Sequence, residues 1–135
     1  VSKIVFTLGY TGRSPEEVVQ LLESKGAVLF DIRFSANSRN FRFNKGYLTS
    51  LLKERYQHVK QLGNVNYKGG PIEIEDYQAG RAMIAASPSP VILMCVCKDP
   101  RECHRTAVAA RLRADGFTVQ EIGMEAPKEK QESLL

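Results

Sequence analysis

Short apolar runs alternate with stretches of helical period along this chain, and that alternation constrains its fold more than any other feature. Lys3 to Leu8 (KIVFTL), Ala27 to Ile32 (AVLFDI), Val91 to Cys95 (VILMC) and Phe117 to Ile122 (FTVQEI) have strand length and composition, and His58 to Leu62 is a shorter candidate. Between the first two lies Ser14-Pro15-Glu16-Glu17, an N-cap serine with proline at the first helical position and glutamate at the third. That is a capping box, and the helix it opens stops at Lys25-Gly26, where glycine supplies a left-handed cap. Leu48, Leu51, Leu52 and Tyr56 recur at helical spacing, and Glu73 to Ala86 reads as a third helix closed by Ser87-Pro88-Ser89-Pro90. Asp99-Pro100-Arg101-Glu102 repeats the capping pattern and predicts a fourth helix running to about Asp115, ahead of Gly116.

Strand then helix, repeated, buries both faces of a sheet under helices. The pattern predicts a single three-layer α/β domain over residues 1–123, with a mainly parallel sheet of about five strands. Residues 124–135 (MEAPKEKQESLL) are charged and aperiodic and are expected to form a flexible tail. No apolar run approaches the roughly 20 residues of a bilayer span, and no basic-then-apolar leader opens the chain. Three cysteines, two of them one residue apart, argue against a disulfide scaffold and for free thiols in a reducing cytoplasm. The expectation is a cytoplasmic protein.

Charge is distributed unevenly. From Arg33 to Lys60 seven basic residues face one acid, Glu54, a local +6 in a chain whose net charge is +4. Such an excess points to a phosphate or polyanion partner, against the ordinary alternative of a solvated face. In mainly parallel sheets ligands gather beyond the carboxyl ends of the strands, so the residues that follow each strand are the site candidates.

After the first strand, Gly9, Tyr10 and Gly12 lead into a capped helix, the outline of a phosphate turn or simply of a tight connection. After the second come Asp31 and Arg33, which alternation places on one side, paired with each other or turned to a ligand. The loop beyond interleaves Arg39 and Arg42 with Phe41 and Phe43, near Ser38 and Asn44. Guanidiniums bind phosphates and aromatic faces stack on bases, but phenylalanines also plug cores while arginines stay wet.

The fourth strand ends in Cys95-Val96-Cys97, with Cys103-His104-Arg105 six residues on. Zinc would need Cys95, Cys97, Cys103 and His104 to converge. Cys-x-Cys is tight for that purpose, and adjacent side chains diverge on a helix, so no metal site is predicted. Cys95 to Arg101 has the Cys-x5-Arg count of a cysteine phosphatase, but Pro100 removes a backbone donor and Asp99 sets a negative charge where the anion would sit. An anion or substrate site at the helix start remains, with His104 as acid or base, Arg105 as clamp and Cys103 as reactive thiol or buried filler. His58 ends near the same edge if the short strand is parallel.

The motifs TLGYTGRSPEE, DIRFSANSR, FRFNK, YQHVKQLG and the CHR triplet after VILMC occur in an order and spacing that resembles domain of unknown function family 488, over Thr7 to Ile122. The resemblance implies a small α/β domain and no particular reaction. It marks Gly9, Tyr10, Asp31, Arg33, Ser38, Arg39, Phe43 and Asn44, then Tyr56, His58, Leu62 and Gly63, and last Cys103, His104 and Arg105. The chain departs from the family's pattern at Ala36 (usually proline), Asn64 (usually a second glycine) and Cys97 (usually acidic), and it lacks the arginines common after Leu62-Gly63.

The function expected from these features is binding of a phosphate-bearing ligand, nucleic acid or nucleotide, by Arg33, Arg39, Arg42 and Arg105, with Phe41 and Phe43 stacking and Gly9-Tyr10 as floor. Two alternatives stand beside it. One is an enzyme using His104 as acid/base, with Asp31 as its partner and Arg33 and Arg105 as clamp; the other is a protein-interaction module docking through the basic loop. Neither a cofactor nor a membrane partner is predicted.

Overall fold

The computed structural model describes residues 3–97 and 103–123. Five strands, β1 (Ile4–Gly9), β2 (Val28–Asp31), β3 (Tyr56–His58), β4 (Val91–Cys95) and β5 (Thr118–Glu121), form one sheet in the order β3-β2-β4-β1-β5. Every pairing is parallel. Four helices connect them: α1 (Pro15–Lys25), α2 (Lys45–Leu52), α3 (Tyr77–Ala86) and α4 (His104–Ala114).

Three of the four helices, α1, α3 and α4, begin where a capping side chain accepts from one of the first free amides, whereas Asn44 makes no such bond at the start of α2. Ser14 accepts from the Glu17 amide while Glu17 accepts from that of Ser14, and Gly26 closes α1 at φ 59°. Helix α3 starts at Tyr77 rather than Glu73, because Asp76 caps the Ala79 amide and Ile74 is bridged to Asn64. Helix α2 stops at Leu52, short of the expected Tyr56: Lys53 turns to φ 54° and a 3-10 turn follows. Tyr56 instead opens β3 opposite Leu29, so the third strand meets the span expected for it only at His58, and Lys60–Leu62 is a 3-10 turn. The capping pattern at Asp99–Glu102 lies outside the described residues, as does the expected tail at 124–135, and described α4 begins at His104 with Cys103 as its cap.

Alternation along the strands sorts the core into two layers. Leu8, Leu29, Ile92 and Met94 pack with Val18 and Leu22 of α1 and Leu48 and Leu52 of α2. Val5, Phe30, Leu93 and Cys95 pack with Ile84 of α3 and Val108 and Leu112 of α4. All five residues of β4 are buried, as a strand covered on both faces must be. The connection through α2 leads from β2 outward to β3, whereas that through α4 leads from β4 the other way to β5. β2 and β4 are neighbours, so the crevice between diverging connections opens at their carboxyl ends. Among the described residues no helix is long and apolar enough to cross a membrane.

Candidate functional site

Asp31 closes β2 on the face covered by α1 and α2, the side shared with Leu29. It is fully buried and accepts from Arg33 Nε at 2.7 Å, Arg33 Nη2 at 2.5 Å and the Tyr56 hydroxyl at 2.6 Å. The Arg33 amide adds a longer bond of 3.2 Å. Burial and the Asp31 charge push the Tyr56 hydroxyl far above the usual tyrosine range, while Asp31 raises the pKa of Arg33 against the cost of its burial. The pair and Tyr56 satisfy one another, which is how a buried ion pair survives desolvation. Arg33 is therefore a neutralised structural cation and not an exposed clamp.

Its remaining nitrogen, Nη1, reaches the Tyr10 hydroxyl, which donates to Ser38 Oγ at 2.9 Å. Asn44 Oδ1 accepts from the Ser38 amide, and the Tyr10 ring stacks on Phe43 with centroids 4.1 Å apart. Phe43 is completely buried, so the base-stacking role expected for it gives way to a core contact. Tyr10, Ser38, Phe43 and Asn44 together fasten the loop after β2 onto the end of β1.

The opposite face carries the second cluster. Cys95 ends β4, and Cys103 caps α4 with Sγ accepting from the Arg105 amide. The structure pairs their sulfurs within covalent reach, against the free thiols expected for them, although their Cα atoms lie 7.7 Å apart. His104 joins them: one ligand atom each from Cys95, Cys103 and His104 falls within 4.8 Å of the others. Adjacent side chains diverge on a helix, but Cys103 is the cap, with extended φ and ψ, and only His104 is helical, so the two converge. His104 Nε2 lies 2.8 Å from the Ile32 carbonyl, which can only accept, so Nε2 carries the hydrogen. Nδ1 is then the lone-pair nitrogen, 3.8 Å from Cys103 Sγ. Burial lowers the pKa of His104, with Arg105 nearby acting in the same direction, against the bond to Ile32.

Arg105 is buried and committed. It donates through Nε and Nη2 to the Glu121 carboxylate at 3.1 and 2.8 Å, and through Nη1 to Cys95 Sγ at 3.0 Å and the Cys97 carbonyl at 2.6 Å. The anion clamp expected of it is occupied by Glu121. Gly9 faces this corner: a Cβ there would stand 1.7 Å from the Cys97 carbonyl oxygen and 2.9 Å from Arg105 Nη1. Asp31 does not orient His104. Period-two alternation turns it to the α1/α2 face, and the Ile32 carbonyl takes that role. His58 bonds the next carbonyl, that of Arg33, at 2.7 Å, so the two histidines hold consecutive peptide groups after β2.

A cavity of about 590 Å³ opens above this cluster. Cys95, Cys103 and His104 line its floor, Arg33 and Asn37 its side, and Phe34, Tyr67, Ile72 and Val96 its apolar mouth. The Phe34 and Tyr67 rings lie 5.9 Å apart, with Lys60 above the first and Lys68 above the second. A smaller cavity, about 490 Å³, is lined by Tyr10, Gly12, Ser38 and Arg39. Arg39 is exposed there, whereas Arg42 is bound to the Glu16 carboxylate and the Tyr47 hydroxyl. Phe41 is exposed and meets Tyr47 edge-on.

No family model, curated protein or solved structure matches the chain. Glu121, Tyr67, Lys68 and Ile72 escaped sequence reasoning. Tyr67 and Ile72 sit in a stretch with no period, and Glu121 is one acid on an edge strand, so only the fold gives them neighbours.

Proposed function

We propose that the protein binds a nucleotide-sized, phosphate-bearing ligand in the cavity beyond the carboxyl ends of β2 and β4. The observation that carries this reading is the mouth of that cavity, where two aromatic rings each bear a lysine. Planar aromatic groups gain stacking energy on such rings, and phosphate oxygens are drawn to ammonium groups beside them. The half-exposed Tyr67, Ile72 and Val96 offer apolar contact that solvent alone does not reward. An extended single-strand groove along the loop after β2 has less support, because Phe43 is core and Arg33 and Arg42 are paired.

Calorimetric titration with mononucleotides, inorganic phosphate and a short single-stranded oligonucleotide, at about 50 and 200 mM salt, tests the reading. Mononucleotide binding that Tyr67→Ala abolishes and Lys60→Ala weakens supports it. An oligonucleotide that binds while mononucleotides do not, with Tyr67→Ala unaffected, assigns the basic loop instead.

A second reading is favoured by one specific observation. His104 lines the cavity with its hydrogen on Nε2 fixed by Ile32, so its Nδ1 lone pair is the acid/base candidate of an enzyme. Its partner in that role is Cys103 rather than Asp31.

A further inference from the structure

The geometry points to a zinc(II) site built from Cys95 Sγ, Cys103 Sγ and His104 Nδ1, with a fourth coordination position open to the cavity. Ligand atoms within 4.8 Å of one another match the scale on which bonds of about 2.3 Å to sulfur and 2.0 Å to nitrogen gather around one ion. The three come from different places: the end of β4, the cap of α4 and its first turn.

Four further features fit a metal better than a covalent sulfur bridge. The Cα atoms of Cys95 and Cys103 stand 7.7 Å apart, beyond the roughly 7 Å that a disulfide spans without backbone movement. His104 presents the ligand tautomer: the Ile32 carbonyl holds the hydrogen on Nε2, the outer bond that metal-bound histidines usually make, and Nδ1 faces the sulfurs. Arg105 donates from Nη1 to Cys95 Sγ, the kind of N–H···S bond that steadies a thiolate. Its charge is already met by the Glu121 carboxylate, so what reaches Cys95 is a hydrogen-bonding dipole more than a competing cation. Lastly, the same three residues floor the 590 Å³ cavity, which supplies an entry path and room for water or a ligand atom at the fourth position.

Binding balances simply. The two thiols each release a proton to solvent, His104 stays neutral and keeps its Nε2 hydrogen, and two thiolates cancel the charge of one zinc ion. Two sulfurs and one nitrogen with an open position are a donor set suited to zinc as a Lewis acid. The site does not depend on the ligand proposed above, since loading is read without it.

The test is cobalt(II) and zinc(II) titration of the full chain after reduction, with thiol counting to show three free cysteines. One cobalt per chain is expected, with sulfur-to-cobalt charge-transfer absorption that stoichiometric zinc displaces. Cys103→Ser is expected to abolish that absorption, and His104→Gln to weaken affinity at least about tenfold. Cys97→Ser, outside the trio, is expected to leave it unchanged. For Cys103→Ser protein that does not fold, protection of Cys95 and Cys103 in the wild type from alkylation by one equivalent of zinc gives the same information. Absence of thiolate absorption in fully reduced protein, its persistence in folded Cys103→Ser, or its loss in Cys97→Ser overturns the assignment.

Discussion

His104 Nε2 donates across the sheet edge to the Ile32 carbonyl at 2.8 Å, tying the start of α4 to the end of β2. Glutamine places an amide nitrogen near where Nε2 lies, whereas asparagine reaches only to the Nδ1 position. His104→Gln is therefore expected to keep stability within about 1 kcal/mol, and His104→Asn to lose about 1–3 kcal/mol by orphaning the bond. Urea unfolding of both variants measures this. The reverse order would mean that the carbonyl contact does not hold α4 in place.

Asp31 and Arg33 are expected to behave as one unit. Asp31→Asn strands a guanidinium that is only 3% exposed, a loss of about 3–5 kcal/mol. Replacing both (Asp31→Asn with Arg33→Met) should cost clearly less than the sum of the single changes, with a coupling above about 1 kcal/mol. Additive losses in the double-mutant cycle would show that the pair contributes nothing beyond its separate contacts.

Two glycines should respond with opposite sign. Gly9→Ala drives a methyl group into the Cys97 carbonyl and against Arg105, so it is expected to destabilise by about 1–3 kcal/mol. In Gly46→Ala the methyl group meets nothing within 4 Å, on helix α2, and a gain of about 0.5–1 kcal/mol is expected from helix propensity. Thermal melts of the two variants moving in the same direction would contradict this.

Tyr77 sets an alkaline limit. Burial, and then its hydrogen bond to Asp115, push its hydroxyl up to about 12, above the value near 10 of an unfolded chain. The folded state therefore holds the proton more tightly. This contribution is complete below pH ~10 and is lost as pH rises from ~10 toward ~12. Tyr77→Phe should be less stable than wild type at neutral pH and should show a shallower fall in melting temperature across that window. An unchanged slope would remove Tyr77 from the alkaline transition.

The alternation of apolar runs with capped helices settled the layers, because burial of both strand faces and of one helix stripe leaves few other arrangements. The capping box at Ser14 and the cap at Gly26 were readable from sequence for the same local reason: their hydrogen bonds close within a few residues. The strand ends were also readable as the place to look. What each residue does there was not. Arg105 reads as an exposed cation until the fold supplies Glu121, and of the two readings open to Arg33 only the fold, which adds Tyr56, selects pairing with Asp31. Phe43 reads as a stacking face until Tyr10 covers it. Helix period carried Tyr56 into α2, although its place is in β3 opposite Leu29. Cys95 and Cys103, eight residues apart, meet His104 only because a strand end and a helix cap are brought to the same corner. Local pattern fixes elements, since their hydrogen bonds are local. Partners across the sheet edge are fixed by packing, which brings together residues that sequence holds apart.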